Sequence, residues 1–389
     1  MFNLPMEPKH PAVARFLNYG LFDGLTSFAE LEQRISALEN TKLEGDAFEV
    51  FAEAYLATQK QSQAEEIWPS AVLPEKQKRE LNLPPVEEGT DGIYLSKSGE
   101  YGAYQAKFRT GRPNLTWREL STFFGVSDKA AERLVFTNSN SISGTAQQRP
   151  GFYAVRGTDL DGLEARDFAL ILEFLRGQEL HYERKTPRPH QDEAIRNIVS
   201  ELSTHDRATS VMACGTGKTL VALWVAEELG AKRVLVLVPS LSLVQQSLHE
   251  WLKETSWDNV SYCCICSDPT VANDPDGIVI HPGDADFPIT TNVEEARRWL
   301  SRPHAGVSLV FSTYQSSGVV AEASNGLPPF DLAIFDEAHK TAGREGRKFS
   351  LALDDQNLPI RKRLFQTATP RLYSPLKKDK EGDAQLLLS

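Results

Sequence analysis

The run Met212-Ala213-Cys214-Gly215-Thr216-Gly217-Lys218-Thr219 lies between an apolar stretch, Ser210–Ala213, and a helical one, Thr219–Leu229. Glycines at such a junction let backbone N–H groups turn inward around phosphate oxygens. Lys218 adds a fixed charge at the terminal phosphates, and the Thr219 hydroxyl can hold Mg²⁺. The helix that starts there points the positive end of its dipole at the same anion. Far downstream, Asp336-Glu337-Ala338-His339 follows the apolar run Leu332–Phe335. Two carboxylates at a strand's carboxyl end can divide the labour: Asp336 holds Mg²⁺ through water, and Glu337 orients and deprotonates an attacking water. Together the two segments predict a site for a polyphosphate and Mg²⁺.

A second set lies in the first half. Gly89-Thr90-Asp91-Gly92 opens one β run, and Gln105-Ala106-Lys107 lies in the next. A hairpin between them returns Lys107 alongside Asp91, and the two-residue side-chain repeat of a strand puts Gln105 and Lys107 on one face. An Asp carboxylate, a Gln carbonyl and a nearby lysine make a hard-oxygen Mg²⁺ site with an adjacent cation. That is equipment for hydrolysing a phosphodiester, the metal polarising the phosphate and Lys107 orienting the water or stabilising charge. Glu49, beside Phe48 on a helical stretch, could supply a further carboxylate. Lys107, Arg109 and Arg112 form a small basic run suited to DNA phosphates.

These residues need elements to carry them. Phe28, Leu31, Ile35 and Leu38 recur at helical spacing, as do Phe48, Phe51, Ala52, Tyr55 and Leu56 over Asp46–Lys60. Residues 61–90, rich in Pro, Gln, Glu and Lys, read mostly as loop. Gly92–Leu95 and Gly102–Phe108 predict a hairpin around Ser96–Glu100. Helices are expected around Thr116–Phe124, Asp128–Leu134 and Glu164–Arg176, and a strand at Phe152–Val155. The proline-rich, charged stretch His181–Pro189 predicts a linker. Beyond it, Val234–Val238, Val307–Phe311, Leu332–Phe335 and Leu364–Gln366 read as strands, alternating with helices over Leu241–Glu254 and Val293–Leu300. Such near-continuous apolar runs suit parallel strands buried on both faces. Val260–Ile265 reads as a buried strand, so Cys263, Cys264 and Cys266 are taken as buried thiols rather than a zinc site. The acidic stretch Asp268–Asp286 reads as a solvated insertion.

Composition narrows the classes. The chain has 389 residues, 41% hydrophobic and 24% charged, which suits two or three globular domains. No run of about 18 uncharged apolar residues occurs, so no membrane span is expected, and residues 1–20 do not read as a signal peptide. Four cysteines make no disulfide scaffold, and the expected location is cytoplasmic. The net charge is −11 and neither half is basic, so contact with nucleic acid must come from local patches.

The second half resembles the first RecA-like domain of superfamily-2, DEAH-type helicases and translocases. Besides the phosphate loop and the Asp336–His339 box, Arg188-Pro189-His190-Gln191 resembles the adenine-reading glutamine motif, which implies that Gln191 contacts the base. Val238-Pro239-Ser240 and Ser312-Thr313-Tyr314-Gln315 resemble segments that grip the nucleic-acid backbone, implying contacts at Ser240 and Thr313. Thr367-Ala368-Thr369-Pro370 resembles the threonine-rich motif that links hydrolysis to movement. The resemblance implies ATP binding through Gln191, Gly215, Thr216, Gly217, Lys218, Thr219, Asp336 and His339. It covers roughly residues 187–370. The family's second RecA-like domain and its arginine fingers do not follow, so a longer chain or another polypeptide is expected to supply them, together with a DNA-recognition module. Such an arginine can be worth about 10³-fold or more in rate.

The first half, over about residues 25–180, resembles the Mrr-like branch of the PD-(D/E)xK nucleases. The order is Phe48-Glu49, then the Asp91 turn, then Gln105-x-Lys107, then Leu134–Asn138, and that branch carries Gln where most of the superfamily has Glu. The resemblance implies a nuclease site of Asp91, Gln105, Lys107 and Glu49, with Asp91 and Gln105 holding Mg²⁺. A nuclease ahead of such a motor resembles the ATP-dependent, single-chain type ISP restriction enzymes. The expected architecture is therefore α/β throughout: a restriction-endonuclease-like α/β/α domain over 1–180 (1–25 an N-terminal extension), a linker over 181–189, and a RecA-like parallel-sheet P-loop domain over 190–389. The expected activity is cleavage of double-stranded DNA coupled to ATP-driven movement. The alternatives are a repair helicase whose first domain only holds DNA, and a nucleotide-dependent binding module.

Overall fold

The computed structural model describes residues 6–84, 89–266, 282–338, 352 and 356–368. Among them are two sheets. The first has five strands in the order β1 (Ala64–Pro69), β2 (Gly92–Ser96), β3 (Tyr101–Lys107), β4 (Glu132–Thr137) and β5 (Phe152–Val155). The β1–β2 and β2–β3 pairs are antiparallel; β3–β4 and β4–β5 are parallel. The second has seven parallel strands, β6 (Arg207–Val211), β7 (Arg233–Val238), β8 (Val260–Ile265), β9 (Ile289–Thr290), β10 (Val307–Thr313), β11 (Phe330–Phe335) and β12 (Ile360–Thr367), in the order β6-β12-β11-β7-β10-β8-β9.

One face of the first sheet is covered by the helix Thr41–Thr58. Its N-cap Asn40 accepts from Leu43 N–H. Phe48 and Phe51 pack their rings 5.2 and 5.6 Å from that of Phe136. Ala165–Leu175 packs beside it, and Trp117–Val126 covers the opposite face through Leu120 and Phe123. The second sheet lies between two apolar clusters. Leu223, Val225 and Leu248 belong to one, and Leu300, Val320 and Phe335 to the other. The two-residue repeat explains the division: Val234, Val236 and Val238 of β7 face the first cluster, Leu235 and Leu237 the second.

Several expectations needed correction. Asp128–Leu134 is not a helix: Glu132 already starts β4, because the Leu134–Thr137 run is paired on both sides, with β3 and β5. Residues 61–90 are not all loop, since Ala64–Pro69 forms the sheet edge. Residues before 25 are no appendage, for Phe16, Leu21, Phe22 and Leu25 are buried in the core built on Phe48 and Phe51. Parts of the 181–189 segment are tied down: Tyr182 donates to Thr58 O (3.1 Å) and Lys185 N–H to Glu254 Oε2 (2.6 Å). Residues 267–281 lie outside the described residues, but Ala285, Asp286 and Phe287 that follow are buried. Among the described residues no helix is long and apolar enough to cross a membrane.

Candidate active sites

Because every strand of the second sheet runs the same way, the loops after β6, β7, β10, β11 and β12 emerge at one edge. A crevice at the carboxyl ends of parallel strands is where such sheets hold ligands. The phosphate loop leaves β6 and enters the helix Lys218–Glu228 through Gly217, whose φ is +85°; Gly215 has φ +76°. A side chain at Gly217 would also collide with the Gln191 amide, whereas at Gly215 the space is open. The loop is thus held from behind and open in front, which fits a polyphosphate. Lys218, 9% exposed, donates from Nζ to Glu337 Oε1 at 3.0 Å. This contact joins the loop to the acidic segment, 119 residues on in the chain. Glu337 has a left-handed φ of +50°, and its N–H donates to Asp336 Oδ1 at 2.9 Å. A non-glycine residue held in that region marks local strain of the kind found at functional sites. Tyr314 Oη donates to Asp336 O at 2.7 Å, fixing the turn.

Gln191 departs from the expected role. Its Nε2 donates to Thr216 O (2.9 Å), bracing the phosphate loop, and its Oε1 accepts from Arg188 N–H (2.9 Å) at the cap of its own helix, so both ends of the amide are engaged rather than standing free for a base. Thr216 Oγ1 donates to Ala213 O at 2.7 Å. Thr219 O accepts from Trp251 Nε1 at 2.9 Å, and Gln366 Nε2 donates to Lys218 O at 3.1 Å. The sequence reading missed this support from Tyr314, Trp251 and Gln366. Ser240 and Thr313 lie at the ends of neighbouring strands, Thr313 pairing with Val238. Ser240 caps the helix Leu241–Glu254, while Thr313 is buried against Ser316. That burial removes Thr313 from direct contact with a strand in this conformation. His339, Thr369 and Pro370 lie outside the described residues.

In the first sheet, the β2–β3 register pairs Gly92 with Tyr104, and its next step sets Asp91 opposite Gln105. Asp91 N–H donates to Tyr104 O at 3.0 Å, and Asp91 Oδ2 accepts from Ala106 N–H at 2.8 Å. Gln105 is 3% exposed, and its Nε2 donates to Gly89 O at 2.9 Å. A carbonyl partner fixes which end of the amide is nitrogen, so Oε1 is the other end. Among the described residues that oxygen is buried and has no hydrogen-bond partner. A buried carbonyl oxygen left unpaired costs about 1–3 kcal/mol, and a hard cation would satisfy it. Loss of solvation, then the charge of Glu49, push the Asp91 carboxyl up to about 7, with Lys107 and His10 acting in the opposite direction. Asp91, Glu49, Lys107 and His10 thus share one electrostatic neighbourhood. No three His, Cys, Asp or Glu groups among the described residues are clustered to hold a metal by themselves. Two carboxylates and an amide carbonyl are the oxygen types that Mg²⁺ takes.

Of the basic run, Arg112 is not free for phosphates. Arg112 Nε and Nη2 donate to Glu32 (2.8 Å each), and Nη1 and Nη2 to Asp161 (2.6 and 2.8 Å). These hydrogen bonds, Asp161's first, raise the pKa of its guanidinium. Arg109 Nη2 lies 3.1 Å from Glu119 Oε1 but stays 39% exposed. Arg112 therefore clamps the domain, and Arg109 is the more accessible of the two.

Residues 184–372 match the family described as "Type III restriction enzyme, res subunit". Over 191 residues the chain is 36% identical to "Probable helicase A859L" of African swine fever virus (isolate Tick/Malawi/Lil 20-1/1983), a match covering 49% of this chain and 20% of the viral protein. Among solved structures, "ATP-dependent Type ISP restriction-modification enzyme LlaBIII bound to DNA" covers 94% of this chain and 24% of its own, with 26% identity and a TM-score of 0.71. A nuclease-deletion mutant of the Type ISP enzyme LlaGI, in complex with a DNA substrate mimic, matches 49% of this chain and 18% of its own at 34% identity and a TM-score of 0.39. The chain spans about a fifth of the curated relatives' length and about a quarter of the LlaBIII chain. Residues 184–372 thus match the type III restriction enzyme res subunit family and have a RecA-like helicase fold, and the chain is similar in architecture to a Type ISP restriction-modification enzyme.

Proposed function

We propose that this chain is the nuclease and first motor part of an ATP-dependent restriction enzyme acting on double-stranded DNA. The observation that supports the motor reading is the Lys218–Glu337 pair, a lysine of the glycine loop 3.0 Å from a strand-end carboxylate. Lys218 binds the terminal phosphates of ATP, and Glu337, released from Lys218 as phosphate takes its place, orients the attacking water and accepts its proton. The Thr219 hydroxyl and Asp336 would hold Mg²⁺, which supplies neutralisation of the charge developing on the phosphate. The Ser240 loop, at the same sheet edge, is where a DNA strand would lie.

The nuclease reading is supported by the unpaired Gln105 oxygen opposite Asp91. Asp91, Gln105 and Glu49 would hold Mg²⁺ there, and Lys107 stabilises charge on the phosphate or orients the water. DNA cleavage and ATP turnover are measured for the chain together with a second RecA-like domain, alongside Lys107→Ala and Lys218→Ala. Lys107→Ala is expected to lose Mg²⁺-dependent cleavage and keep ATP turnover; Lys218→Ala is expected to lose turnover. Cleavage by Lys107→Ala equal to that of the parent would reject the nuclease site and leave a first domain that only holds DNA.

A further inference from the structure

The segment that leads into the helix Val13–Asn18 reaches the candidate nuclease site, and no motif assigns it a role there. Its main chain is pinned at His10. Lys9 N–H and His10 N–H donate to the two oxygens of the buried Glu53 carboxylate at 2.6 and 3.0 Å. Lys9 Nζ also binds Glu66 (3.1 Å) and lies 5.0 Å from the centre of the Trp68 ring. The His10 side chain is 8% exposed. Ala12 N–H donates to its Nδ1 at 3.2 Å, so Nδ1 is the acceptor nitrogen and Nε2 carries the hydrogen. That Nε2–H faces Glu49 Oε2 at 3.4 Å. Glu49 and Glu53 lie one turn apart on the helix Thr41–Thr58, so they occupy one face. Glu53 anchors the segment and Glu49 receives its ring.

We infer that His10 is a positioning residue of the nuclease site: as a fixed Nε2–H donor it holds the Glu49 carboxylate in place toward Asp91. This rests on the reading of that site as a Mg²⁺-dependent one. The independent sign of a ligand is the buried Gln105 oxygen, which has no hydrogen-bond partner among the described residues. A carboxylate on a helix facing a sheet has free torsions, and a donor behind one oxygen restricts the other to the cation. Outer partners of this kind typically account for 10–100-fold in metal affinity. Loss of the donor should therefore weaken cation binding before any DNA is present.

The test is Mg²⁺ binding by calorimetry to the whole chain without nucleotide or DNA, with thermal unfolding of each metal-free variant. His10→Ala, and His10→Phe to keep the ring volume, are expected to bind Mg²⁺ 10–100-fold more weakly with the unfolding temperature retained by His10→Phe. His10→Gln, which restores an N–H donor, is expected to recover most of the affinity. Asp91→Asn separates the two levels of the claim. If Asp91→Asn binds Mg²⁺ as the parent does, the metal site itself is wrong. If Asp91→Asn loses binding while His10→Ala and His10→Phe keep it, the metal site stands and the role of His10 is overturned. Equal weakening in His10→Phe and His10→Gln also overturns it, because the donor is then not what matters.

Discussion

Two residues carry opposite electrostatic problems. Lys218, almost buried, has its charge met by Glu337 while no phosphate is near. Replacing Glu337 by Gln removes that competitor and a negative charge from the nucleotide's approach. Binding of a fluorescent ATP analogue to Glu337→Gln is expected to be equal or a few-fold tighter, with turnover in the assembled motor down about 10²-fold or more. Weaker nucleotide binding would refute the pairing. Asp91 is the reverse case, a carboxyl raised to about 7 by burial and Glu49. The folded chain keeps this proton where the unfolded chain has released it, so stability falls as pH rises from about 4 to about 7. The loss at this one group is on the order of 4 kcal/mol. Thermal unfolding of the metal-free chain should show a shallower fall across that range for Asp91→Asn than for the parent. Mg²⁺ at pH 8 should restore stability to the parent alone, because the cation takes the proton's place.

At the scale of elements, the hairpin of β2 and β3 sets the spacing of the candidate nuclease residues. Its register depends on Gly92, where a Cβ would come within 2.5 Å of the Tyr104 ring. Gly92→Ala should force that ring or the strand aside at a cost of about 1–3 kcal/mol. It should also weaken Mg²⁺ binding, since Asp91 is the next residue. A Gly92→Ala chain that melts and binds Mg²⁺ like the parent would show that the close contact relaxes freely. The hairpin was legible because Gly92–Leu95 and Gly102–Phe108 are β-rich runs around a turn. The helix Leu241–Glu254 was legible to the residue from its apolar period; that Ser240 caps it is seen only in the structure. The strand Ala64–Pro69 was not, because Glu65, Glu66 and Pro69 are poor strand formers; it forms at an edge, with one partner, β2. Asp128–Leu134 misled in the other direction, since a central strand's pairing outweighs weak helical periodicity.

At the scale of the whole molecule, the two sheets are joined by charged contacts. Arg166 Nη2 binds Glu254 Oε1 at 2.8 Å, and Lys253 Nζ binds Asp167 Oδ2 at 2.8 Å. Tyr262 Oη donates to Gln61 O at 2.6 Å, and Arg302 pairs with Glu100 of the β2–β3 turn. The Glu254 side chain is fully enclosed. Arg166→Ala leaves that charge with less compensation, and unfolding of the whole chain should show a loss of about 2–4 kcal/mol. Adding Glu254→Gln should return part of it; no recovery in the double variant would mean that Arg166 acts through packing alone.

Sequence by itself determined which residue types sit at strand ends. A phosphate loop must be glycine-rich, a cation site must offer oxygens, and parallel strands buried on both faces must be apolar; each demand is local and written in consecutive residues. Tertiary structure alone decided which of those residues are available. Gln191 is spent bracing the loop, Arg112 is held between Glu32 and Asp161, and Thr313 is buried. His10 stands against Glu49, 39 residues away in the chain. The physical reason is that hydrogen bonds and desolvation are set by neighbours in space, and no period in a sequence links a residue to a partner on another element.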